Sequence, residues 1–63
     1  MTEKQNRMLQ AIEKKVDAEW DNLTPWEQKF VEDTLERFRI YGKNTLISPK
    51  QGDHIERIWE KIV

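Results

Sequence analysis

The sequence predicts an all-α fold, a helical hairpin plus a third helix that either closes as a three-helix bundle or forms half of a helical homodimer. Three observations lead there. A hydroxyl residue followed three positions later by Glu or Gln occurs at Thr2-Glu3-Lys4-Gln5, Thr24-Pro25-Trp26-Glu27 and Ser48-Pro49-Lys50-Gln51, each ahead of an apolar-periodic stretch. In such a box the hydroxyl accepts from the third amide while the Glu or Gln side chain reaches back to the cap amide, and Pro at the first helical position loses no bond. Apolar residues after each start recur at helical spacing. No alternating strand pattern competes, because Leu46-Ile47 is the one short apolar run outside the helical stretches.

The first helix is expected over 3–22. At 100° per residue Met8, Leu9, Ile12, Val16, Trp20 and Leu23 fall in an arc of roughly 120°, with Glu13, Lys14, Asp17 and Asp21 elsewhere. Asn22 and Leu23 make a tight link to the second helix, expected over 25–41. There Trp26, Phe30, Val31, Leu35, Phe38 and Tyr41 spread over roughly 180°, which predicts a central position. Gly42 is suited to the left-handed conformation that closes a helix. A loop of about six residues follows, with Leu46-Ile47 expected to pack as a lid beneath the third helix. That helix, over 49–62, gathers Ile55, Ile58, Trp59, Ile62 and Val63 within roughly 140°.

Sixty-three residues without an internal repeat or low-complexity tract make one domain, 1–63, too small for a deep active-site cleft. Eleven Lys and Arg against twelve Asp and Glu leave a net charge of −1, so no global positive field draws the chain to nucleic acid or anionic lipid. Apolar runs never exceed two residues, so no membrane span or signal peptide is expected and the cytoplasm is the default location. The absence of cysteine excludes thiol catalysis, Cys-ligated zinc and iron–sulfur ligation.

Catalysis finds little support. His54 is the one imidazole, so no His metal cluster exists, and no cofactor is expected. Ser48 is accounted for as a helix cap rather than a nucleophile. Carboxylates four apart, such as Glu32 and Glu36, have cations at helical spacing, and Lys29 with Asp33 and Asp33 with Arg37 suggest a solvated, ion-paired face. Gly42 and Gly52 are isolated, so no phosphate-binding glycine loop is present.

One stretch has a local charge asymmetry. From Arg37 to Gly52 there are four cations, Arg37, Arg39, Lys43 and Lys50, and no acid, with Asn44 among the interspersed polar groups. A small nucleic-acid-binding accessory protein using Arg39, Lys43, Asn44 and Lys50 is therefore the alternative functional reading. Leu46-Ile47-Ser48-Pro49-Lys50-Gln51 leading into Ile55, Ile58 and Trp59 resembles the scaffold helix of LuxR-type and sigma-region-four helix-turn-helix domains. In those a turn and a recognition helix follow, whereas this sequence ends at Val63. The stretch from Leu23 to Lys61 is similar to small phage-encoded early-region helical proteins. That likeness implies a phage origin and carries no functional residues across.

Trp20, Trp26 and Trp59 are numerous for so short a chain and suit a small core. Trp26 stands at the edge of the second helix's apolar arc, and Ile40 with Arg37 adds an apolar and cationic patch that a bundle core does not require. Trp is enriched among interface hot spots. The leading expectation is a non-enzymatic, phage-type modulator that binds a partner protein through Trp26, Arg37 and Ile40. A homodimer through the first helix or the Trp26 and Ile40 surface is expected with it.

Overall fold

All three helix starts are closed by reciprocal hydrogen bonds in the computed structural model, which describes residues 1–63. The helices are α1 (Glu3–Lys15), α2 (Pro25–Tyr41) and α3 (Pro49–Ile62). Thr2 Oγ1 accepts the Gln5 amide at 3.1 Å while Gln5 Oε1 accepts the Thr2 amide at 3.0 Å. Thr24 with Glu27 repeats this at 3.2 and 2.9 Å, and Ser48 with Gln51 at 3.2 and 2.9 Å. Two amide donors that a helix start leaves open are thus satisfied at each of the three sites.

The first helix is shorter than its periodicity predicts, ending at Lys15 rather than at residue 22. A turn and a 3-10 segment, Trp20–Asn22, fill the remainder. Asp17, Glu19 and Asp21 would place three negative charges at the negative end of the helix dipole, where they disfavour continuation. Asn22 instead donates its side-chain amide to the Glu19 carboxylate, and the backbone closes with Asn22 N–H to Glu19 O at 2.9 Å. Leu23 is therefore extended, not helical, yet it is buried in the core.

Cross-helix contacts set the directions. Arg39 meets Glu13 and the Gln28 side chain donates to the Trp20 carbonyl at 3.0 Å, so α1 and α2 run antiparallel. Lys61 meets Glu27, and His54 meets Trp26 and Phe30, so α3 packs across the first turns of α2. The closest helix pair is α1 with α3, and α1 also contacts α2. The central helix is accordingly α1, not α2 as the width of its apolar arc suggests. That arc is wide because Trp26 at its edge and Tyr41 within it face solvent.

Ten buried apolar residues from all three helices and the first connection, with Leu9, Ile12, Ile55 and Ile58 the most enclosed, form one core. Trp20, Phe30, Phe38 and Trp59 are half-buried around it. The radius of gyration is 10.5 Å, and a compact chain of this length is expected at about 10.6 Å. A single chain thus closes as a three-helix bundle.

Gly42, at φ +56°, turns the chain out of α2 into a 3-10 segment, Gly42–Asn44. Thr45 is buried, and its hydroxyl donates to the Gly42 carbonyl at 2.7 Å. Its own carbonyl accepts the Met1 ammonium at 3.0 Å. The expected lid is half right: Ile47 packs against the core, but Leu46 is 89% exposed. Thr45 and Ile47 point inward, and in extended backbone the residue between them points outward. Val63 lies past the last turn of α3 and is exposed rather than on its buried face.

Candidate partner-binding surface

Trp26 and Ile40 are exposed, at 56% and 67%, on the outward side of α2. At 100° per residue they lie within about 40° of each other, with Arg37 about 20° beyond Trp26. Along the axis, however, fourteen positions at 1.5 Å separate them by about 21 Å. They share a face without touching, and Arg37 belongs with Ile40 at the C-terminal end. Tyr41, expected on the buried arc, is 60% exposed there too. It sits about 60° from Trp26, nearer to the outward face than to Leu35 at about 180°.

Between the two ends the face carries Lys29, Phe30 and Asp33. The spacing 26, 30, 33, 37, 40 alternates four and three, the pattern of a seam on which another helix can lie. Four ion pairs occur in the molecule: Lys4 with Glu56, Arg7 with Glu3, Arg39 with Glu13, and Lys61 with Glu27. Lys29, Asp33 and Arg37 are in none of them. The ion pairs that their spacing predicts do not form, and the three charges stand exposed and free on the seam.

At its N-terminal end the seam is an aromatic cluster. Trp26 stacks on Phe30 with centroids 5.4 Å apart, and the His54 ring of α3 lies 4.6 Å from Trp26 and 5.6 Å from Phe30. This leaves one side of the indole packed and the other open. Behind the cluster, Glu27 accepts the Lys61 ammonium at 2.8 Å and the Thr24 amide at 2.9 Å. The hydrogen bond from Lys61, followed by that from Thr24, holds its carboxyl below the usual glutamate range despite partial burial, which opposes them.

At the C-terminal end a groove of about 510 Å³ is lined by Arg37, Tyr41, Asn44, Thr45 and Leu46. It is the place where the expected partner-binding and nucleic-acid residues meet, through Arg37 and Asn44. The remaining cations diverge. Arg39 lies about 200° around α2 from Arg37 and is bound to Glu13 at 3.1 Å. Lys43 and Asn44 also border a separate depression with Met1, Thr2 and Asn6. Lys50 sits in the first turn of α3 and lines neither hollow. Tyr41 and Leu46 were not singled out as site residues by their sequence context. The alternate burial of Thr45, Leu46 and Ile47 depends on the Gly42 turn, which no periodicity encodes.

The interior holds a void of only about 10 Å³ among Leu9, Ile12, Thr34, Ile55 and Ile58, so any ligand of appreciable size must bind at the surface. No helix is long and apolar enough to cross a membrane. No group of three His, Cys, Asp or Glu side chains is placed to hold a metal ion. The chain matches no protein-family model, no curated protein and no solved structure.

Proposed function

We propose that the protein is a non-enzymatic helical interaction module, working in the cytoplasm, that lays the outward face of α2 against a partner protein. The observation that carries this reading is the pair of large exposed apolar side chains, Trp26 and Ile40, on one helix face with the unpaired Arg37. Trp and Arg are the residue types most enriched where interface energy concentrates, and here Trp26 is already held in place by Phe30 and His54. A role as a phage-type modulator rests on the resemblance of Leu23 to Lys61 to small early-region helical proteins.

Affinity capture from the native host with mass spectrometry tests the reading. The wild type is compared with a Trp26→Ala/Ile40→Asp variant whose helical content and melting are unchanged. A partner held by the wild type and lost by the variant is the expected result. Equal retention of every captured protein by both would overturn it.

A further inference from the structure

We propose that the partner this face fits is a second copy of the chain, docked antiparallel along α2 about a two-fold axis. The proposal rests on the outward face of α2 being an interface, and it adds the occupant and its register. The argument comes from the order of side chains on the seam. Trp26 and Phe30 are stacked at one end, Asp33 and Arg37 stand unpaired in the middle, and Ile40 and Tyr41 are exposed at the other end.

Two copies laid antiparallel with Asp33 opposite Arg37 of the second copy also align the apolar positions Phe30 and Ile40, while Trp26 falls opposite the second copy's Asn44, past the end of α2. Phe30 then faces the second copy's Ile40, because 30 and 40 have the same sum as 33 and 37. By symmetry each layer occurs twice. Phe30 of each copy covers Ile40 of the other, and two reciprocal ion pairs form at the centre. A parallel arrangement would set Asp33 against Asp33 and Arg37 against Arg37, which is repulsive. The central charges thus select orientation and register as polar seam residues do in coiled coils.

The seam is short, so association belongs to the weak class and is sought at about 10 to 500 µM. Sedimentation equilibrium should show wild-type mass rising from 7.7 kDa toward twice that value over this range. Asp33→Arg alone and Arg37→Asp alone should each weaken self-association at least about tenfold, since like charges then meet twice. An equimolar mixture of those two variants should restore it, because one copy carries two cations and the other two acids at the seam. Orientation is read separately. The chain has no cysteine, so a mixture of Phe30→Cys and Ile40→Cys should cross-link on oxidation while neither variant alone does so.

A wild type that stays at 7.7 kDa throughout overturns the dimer. So does a dimer indifferent to both charge reversals, or one that cross-links Ile40→Cys to itself. If self-association is absent while the Trp26→Ala/Ile40→Asp variant still loses a captured protein, the interaction reading stands and only the second copy is ruled out. If that variant changes neither, both fall.

Discussion

Glu27 is held from two sides, by the Thr24 amide that opens α2 and by Lys61 near the end of α3. Its carboxyl titrates below the ordinary glutamate range, with the Lys61 bond the largest cause. The folded state therefore favours the ionised form. The resulting stability is present above the ordinary glutamate range and is lost as pH falls through the lowered value. Glu27→Gln should flatten the acid limb of a stability-against-pH curve while leaving the shape near neutrality unchanged. Thermal melts across that range measure this. Thr24→Ala and Ser48→Ala should each cost about 1 kcal/mol in chemical denaturation, because each removes the acceptor for a helix-start amide. A neutral Ser48→Ala that abolished partner capture would instead make Ser48 a binding residue.

The helix starts were fully legible in the sequence, since a capping box is a local device whose partners lie three residues apart. Helix ends were less so. Val16, Trp20 and Leu23 keep helical spacing to α1, yet the acids among them and Asn22 close the chain in a tighter turn, a competition that periodicity does not register. Trp26, Arg37 and Ile40 could be placed on one face from spacing alone. Tyr41 shares the apolar spacing yet stays exposed at the end of α2, where the chain turns away at Gly42, and spacing does not encode that turn. The α1 and α3 starts also meet. A methyl group on Gly52 would lie 2.8 Å from Gln5 Nε2, on the same side chain that caps Thr2. Gly52→Ala alone should be close to neutral, since a helix-propensity gain of about 1 kcal/mol is offset by displacing that cap. In a Gln5→Ala background it should stabilise by about 1 kcal/mol, and urea titrations of the four chains give the coupling directly.

Across the whole molecule, stability is concentrated where α1 and α3 face each other. Ile58→Ala, at a site almost without exposure, should cost about 2 to 5 kcal/mol, enough to unfold a large fraction of so small a domain. Leu46→Ser, at 89% exposure, should change stability by no more than about 0.5 kcal/mol. Denaturation midpoints of the two variants test the contrast. The partition also bears on how the molecule is made. Its closest helix pair joins the first and last elements, with all of α2 and both connections between them. A nascent chain that has emerged only as far as Ser48 has α2 but not Ile55 and Ile58 to lay against Leu9 and Ile12. Closing so long a loop comes before the reward of the α1 and α3 contact. The native bundle therefore waits for the fourteen residues of α3 to leave the ribosome, and until then the chain is an open hairpin with its most apolar face bare.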